Sequence, residues 1–265
     1  PEALSLIGKL RIANILAERP EKSFSEKAIK IYDFIIDEHS LSDQYEEALL
    51  RKSLTQALFQ DYPNAVATME KFCSQFPENL YVKHLIIQDR ILETIKSYIE
   101  DYYFQGRYLD ALSVFEQYEK QYYTHPKSSA CFNLKKGENY TEIVRDLPYK
   151  APLFLIADSY FRLGLQDKAQ TMNDIILKDE KNPLVPLVLF NKGKIYDLKD
   201  QPEDAQQIYA RFIYNYPENV MTPLVKKALG DSYFKVHKSD RISRAIRIYR
   251  QTVKDYQNSG DMLQR

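Results

Sequence analysis

The feature that most restricts the fold is a pattern that recurs six times: an alanine, then apolar residues at steps drawn from three, four, seven, eight and eleven positions later. The fullest copy is Ala205, Ile208, Tyr209, Phe212, Ile213 and Tyr216. Ala245 leads Ile248, Tyr249, Val253 and Tyr256, and Ala28 leads Ile31, Tyr32, Ile35 and Ile36. Ala65 leads Met69, Phe72, Cys73 and Phe76, while Ala111 leads Val114, Phe115, Tyr118 and Tyr122. In the sixth copy Ala169 leads Met172, Ile176 and Leu177, with Asn173 in the slot an apolar residue should take. Such intervals trace one stripe of an α-helix and not the alternation of a strand. The alanine has a steric reason, because a small side chain lets its helix approach a partner closely. The aromatic four residues on is expected to fill the gap to the next repeat.

Successive alanines lie 37, 46, 58, 36 and 40 residues apart. Helix-pair repeats run from about 34 to 47 residues, so four of the five steps fit one repeat each. The long step holds His125-Pro126, Ser128, Ser129 and Lys135-Lys136-Gly137, which read as a loop followed by a short helix near 138–146. A second helical segment precedes each alanine, at 4–17, 44–60, 81–104, 151–163, 184–198 and 222–236. Between the two members of each pair stand Pro20, Pro63, Gly106, Gly164, Pro202 and Ser239. Phe76-Pro77-Glu78-Asn79 and Tyr216-Pro217-Glu218-Asn219 are stop signals, since proline cannot continue a helix.

These residues resemble the tetratricopeptide-repeat family. Gly193, Tyr196, Ala205, Tyr209 and Pro217 carry the resemblance best, followed by Ala157, Tyr160, Gly164 and Ala169, and by Tyr102, Gly106, Tyr108, Ala111 and Phe115. Gly230-Asp231-Ser232-Tyr233 matches the first helix of another copy. The N-terminal copies are degenerate, with Ser53 in the small slot and Gln56 in place of the tyrosine. The resemblance implies an all-α fold, a right-handed α-solenoid of about six helix pairs. Its expected parts are degenerate repeats over 1–123, an interruption over 124–148, and better-formed repeats over 149–265. The Phe76-Pro77 and Tyr216-Pro217 endings look like the bacterial cell-envelope subset, which includes the outer-membrane assembly lipoprotein and the Tol–Pal-associated coordinator. That likeness implies a periplasmic or cell-envelope location and a membrane-associated complex, with the cytoplasm as the alternative.

Function classes are narrowed mainly by missing motifs. Seven glycines are scattered along the chain, and none builds a phosphate-cradling loop or a nucleophile elbow. His39, His84, His125 and His237 lie far apart, without the three- or four-residue spacing of metal ligands. Adjacent carboxylates such as Glu46-Glu47 and Asp179-Glu180 point about 100° apart on a helix and read as solvated faces. Asn139-Tyr140-Thr141 fits a glycosylation sequon, which matters only in a secretory context. Lys+Arg and Asp+Glu both number 37, without the basic excess that nucleic-acid binders show. The longest apolar stretch, around 184–190, is far short of the roughly 20 residues of a membrane span. Cys73 falls in a core slot and reads as a buried, unreactive thiol. The chain begins at Pro1, which reads as a processed form or an excised fragment.

The expected role is therefore a protein-interaction scaffold, not an enzyme, with no cofactor, no metal and a protein or peptide partner. A self-associating helical array, or the helical arm of a larger enzyme, are the competing readings. In the resembling family the first helices of the pairs line the concave face. Placing the last three first helices in that frame nominates Phe154, Asp158, Phe161 and Arg162, then Asn191, Lys194 and Asp197, then Lys227, Asp231 and Lys235. Steps of three and four keep each set on one helical face. Aromatic, amide and charged groups together suit recognition of an extended peptide.

Overall fold

The computed structural model describes residues 2–83, 86–118, 150–179 and 181–263. Among them there are thirteen helices and no strand. They fall into two compact units, 1–149 and 150–265. The expected interruption at 124–148 lies outside the described residues, as does Tyr122.

Unit 1 holds α1 (Glu2–Ala17), α2 (Lys22–Glu38), α3 (Gln44–Leu58), α4 (Tyr62–Gln75), α5 (Leu80–Lys83), α6 (Ile86–Phe104) and α7 (Tyr108–Tyr118). Its pairs are α1 with α2, α3 with α4, and α6 with α7, and α2 and α4 each pack onto the pair that follows. Of the helix expected over 81–104, α5 and α6 are the described parts, and residues 84–85 lie outside the described residues. Unit 2 repeats the plan with α8 (Lys150–Arg162), α9 (Gln166–Leu177), α10 (Val185–Leu198), α11 (Pro202–Asn215), α12 (Thr222–Lys235) and α13 (Ser239–Leu263).

All six leading alanines are fully buried. The aromatic four residues on does more than was expected of it: Tyr209 is buried in the core shared with the next pair and also meets a glycine of its own pair. An ideal Cβ on Gly193 would lie 2.2 Å from the Tyr209 ring, and one on Gly230 would lie 2.4 Å from the Tyr249 ring. Each tyrosine therefore lies flat on a glycine of its own pair, and the two helices touch through that bare backbone. Phe212, three residues further on, is buried with Val185, Leu189, Val225 and Leu229 in a core shared by α10, α11 and α12. In the sixth copy the odd slot is real: Asn173 is buried, and its Oδ1 has no hydrogen-bond partner among the described residues.

Turns inside the pairs share one device. Gln60, Gly106, Gly164, Asp200 and His237 all have positive φ, in five of the six turns. Four of these turns are closed by a bond to the carbonyl five residues back: Asp61 to Gln56, Arg107 to Tyr102, Leu165 to Tyr160 and Gln201 to Tyr196, at 2.8–2.9 Å. This is the Schellman closure, which favours glycine at the left-handed position. Three of the described turns between pairs use asparagine. The Asn79, Asn182 and Asn219 Oδ1 atoms accept the backbone N–H of Tyr81, Leu184 and Met221 at 2.7, 3.0 and 2.9 Å. The aromatic-Pro-x-Asn signal thus ends one helix and starts the next.

Two substitutions should move stability in opposite directions. Gly193→Ala should cost about 1–3 kcal/mol, because the added methyl overlaps the Tyr209 ring. Asp200→Gly should gain about 1 kcal/mol, because it relieves a left-handed non-glycine residue. Urea unfolding followed by circular dichroism measures both.

Candidate functional site

Unit 2 brings the nominated residues together across α8, α10 and α12. Asn191 Nδ2 donates to Asp158 Oδ1 at 3.3 Å, joining α10 to α8. Arg162 Nε binds Asp158 Oδ2 at 2.5 Å within α8. Lys235 Nζ donates to the Asp197 carbonyl at 3.3 Å and lies 3.8 Å from Asp197 Oδ1, joining α12 to α10. Lys227 Nζ pairs with Asp231 Oδ2 at 2.8 Å. Seven of the ten nominated residues are thus bonded to one another within or between these first helices, while Phe154, Phe161 and Lys194 take no part in these bonds.

They are not equally available to a ligand. Asp158 and Asn191 are buried, and Phe154, Phe161, Asp197 and Asp231 are half-buried, whereas Arg162, Lys194, Lys227 and Lys235 are exposed. Two of the carboxylates also serve the helix pairs beneath them. Tyr209 donates to Asp197 Oδ2 at 2.8 Å, and Tyr249 donates to Asp231 Oδ1 at 2.7 Å. Lys194 makes no ion pair among the described residues, and its Nζ sits 5.4 Å from the Phe190 ring centre. It is the cation of this face with most freedom to meet a partner's charge.

These tyrosine hydroxyls are held strongly in the neutral form. Burial, reinforced by the bond to Asp231, pushes Tyr249 up to about 12. Burial and the Asp197 carboxylate push Tyr209 well above the ordinary phenol range. In unit 1, burial lifts Tyr32 to about 12, and burial with its Tyr102 neighbour does the same for Tyr98.

A groove lies in unit 1, where the sequence nominated nothing. It encloses about 590 Å³ and is lined by Asp43, Glu46, Glu47, Leu50, Arg51 and Leu54 along α3, with residues of α5 and α6 opposite. Glu46 and Glu47 are thus not merely a solvated pair. Both line this groove, Glu46 bonded to the Asn79 amide and Glu47 to that of Asn14 at 3.1 Å. The signal was present in the one-, three- and four-residue steps from 43 to 54, where four of the six residues are charged. Among the described residues no group of His, Cys, Asp and Glu could hold a metal ion. No helix there is long and apolar enough to cross a membrane.

Comparison with known proteins agrees with the helix-pair plan. The family model described as tetratricopeptide repeat matches residues 47–79 and 187–219. Each match spans most of one pair with its closing Pro-x-Asn turn, α3–α4 and α10–α11. The chain therefore carries tetratricopeptide-type repeats, one in each unit. The first match falls on a copy that looked degenerate. Its odd slots are satisfied: Ser53 is buried and donates to the Leu50 carbonyl at 2.7 Å, and buried Gln56 accepts from Thr68 at 2.8 Å. No curated protein sequence matches the chain. Among solved structures, MamA shares 13% identity over 79% of this chain and 96% of its own, at a TM-score of 0.48. A kinesin-light-chain protein of Podosopora anserina with nearly identical TPR-like repeats shares 12%, over 83% and 99%, at 0.49. A tetratricopeptide repeat protein from Parabacteroides merdae shares 12%, over 95% and 80%, at 0.40. At those values they define no detail of this chain's fold or function.

The tyrosines predict a pH dependence. A phenol ionises near 10 in the unfolded chain, but Tyr32, Tyr98 and Tyr249 hold their protons to about 12 when folded. Their stabilisation is complete below pH 10 and is lost as pH rises toward 12, because only the unfolded state releases the protons. Absorbance titration at alkaline pH, with and without urea, should show a folded population of phenols that ionises late. Ionisation of every tyrosine near pH 10 in the folded chain would contradict it.

Proposed function

We propose that this chain is a protein-interaction scaffold that binds an extended segment of a partner along the first-helix face of unit 2. The observation that carries the reading is the ladder from Asp158 through Asn191 to Asp197 and Lys235. It fixes polar and charged groups of α8, α10 and α12 in register on one face. Pre-positioned donors and acceptors lose little entropy on binding, which is what a backbone-reading surface needs. Lys194 and Lys227 add exposed cations for acidic side chains, and Phe154 and Phe161 add partly open rings. An interaction role is also the usual one for repeats that offer an extended surface and no closed pocket.

The test is affinity capture with the purified chain, followed by Lys194→Glu and Lys227→Glu. We expect partner affinity to fall about tenfold or more for each, with unchanged circular dichroism. If both variants keep full affinity, this face is not the binding surface.

The reading extends to a cell-envelope assembly, and one side chain supports it. Cys73 is buried as its slot required, but it is not a free thiol: it is disulfide-bonded. The only other cysteine, Cys131, lies outside the described residues. Disulfides persist in secreted and periplasmic proteins and are rare in the reducing cytosol. Protein taken from its native compartment without reductant should resist alkylation at Cys73 until it is reduced. Immediate labelling of Cys73 after mild unfolding would favour the cytoplasm.

A further inference from the structure

The chain is neutral overall, yet its charge is sharply segregated. Residues 222–255 hold nine lysines and arginines against three aspartates, and the rest of the chain carries the balancing acidic excess. Most of the cations of α12 are already committed: Lys226 pairs with Asp255 at 2.6 Å, Lys227 with Asp231 at 2.8 Å, and Lys235 with Asp197. On α13, Arg241 bonds Gln206, and Arg244 sits over the Tyr233 ring. Besides Lys238 in the turn before α13, that leaves Arg247, Arg250 and Lys254, which are exposed and have no partner among the described residues. Steps of three and four put them on one side of α13.

Beside them the helix surface is apolar and open. Ile246 is 44% exposed, Val253 55%, and Leu224 of α12 46%. Leu224 and Val253 border a groove of about 240 Å³ whose lining includes Tyr249 and Thr252. The sequence explains why the groove exists. Thr252 stands seven residues after Ala245, at the place where Phe212 follows Ala205, so a small side chain replaces a buried ring. Ile246 likewise stands where the preceding copy has the buried Gln206.

We propose that the α12–α13 edge is a second docking site, which takes an acidic segment of a partner protein carrying one apolar anchor. The anchor enters the groove between Leu224 and Val253, and flanking carboxylates meet Arg247, Arg250 and Lys254. Charge complementarity selects the occupant: Arg250 and Lys254 directly follow the groove-lining Tyr249 and Val253 on α13, Arg247 lies one turn back on their side, and Asp231 and Asp255 are already bonded by lysines. A recessed slot between two helices fits a single side chain better than it fits a flat lipid surface. Sugar-phosphate backbone would leave its apolar walls exposed to water. The three unpartnered cations are separate from the first-helix ladder, although Lys227 of that face also lines the groove.

Selection of displayed random twelve-residue peptides on the immobilised chain tests this directly. Enriched peptides should pair Asp or Glu with one Leu, Ile, Phe or Met. In fluorescence anisotropy they should bind at least about tenfold more weakly to Arg250→Glu/Lys254→Glu and to Val253→Asp, both exposed changes. Affinity should fall as salt is raised, and Lys194→Glu should bind as well as the parent. Four outcomes would overturn the proposal. They are enriched peptides without acidic residues, binding indifferent to all these variants, or the same charge sensitivity seen instead with phosphatidylglycerol vesicles or single-stranded DNA. The fourth is sedimentation showing that Arg250 and Lys254 join two copies of the chain.

Discussion

Close approach of two helices through a residue with little or no side chain is the contact on which everything else here depends. Tyr209 and Tyr249 rest on the bare backbone of Gly193 and Gly230, and all six second helices present a fully buried alanine. A larger residue at either place would push the helices of a pair apart and open the space that Phe72, Phe115 and Phe212 fill. Because each pair mainly touches its neighbours, such a fault would act locally before it spread.

The same tyrosines connect packing to the candidate binding face. Their rings close the helix pair, and their hydroxyls reach carboxylates on the first helix, Tyr209 to Asp197 and Tyr249 to Asp231. Those carboxylates in turn engage Lys235 and Lys227. The polar ladder is therefore anchored to the core by a few buried hydroxyls. Rigidity of the surface follows from this anchoring, since its acceptors cannot reorient without losing a buried hydrogen bond.

Legibility in the sequence varied with the kind of physics involved. Helix pairs were readable because burial of one helical stripe imposes a period on residue type, and the glycines and prolines between stripes have few other uses. The second contact of the +4 tyrosine, with the glycine of its own pair, was not foreseen, because spacing along one helix does not say which neighbouring helices a ring will meet. The unit 1 groove was missed because Ser53 and Gln56 made that copy look degenerate, although hydrogen bonds satisfy both. Left-handed turns at Gln60, Asp200 and His237 were equally hidden, since closure of the turn overrides residue preference there. Which face would gather Asp158, Asn191, Asp197 and Lys235 came from the family resemblance. Individual bonds between them were beyond any one-dimensional reading.

A double-mutant cycle between positions 193 and 209 tests the central contact most directly. Urea unfolding would be measured for Gly193→Ala, for Tyr209→Ala and for the two together. If the ring on the glycine sets the helix spacing, the methyl at 193 should cost about 1–3 kcal/mol beside tyrosine. Beside alanine it should cost nothing, or stabilise slightly through helix propensity. Equal cost in both backgrounds would contradict the central place given to this contact.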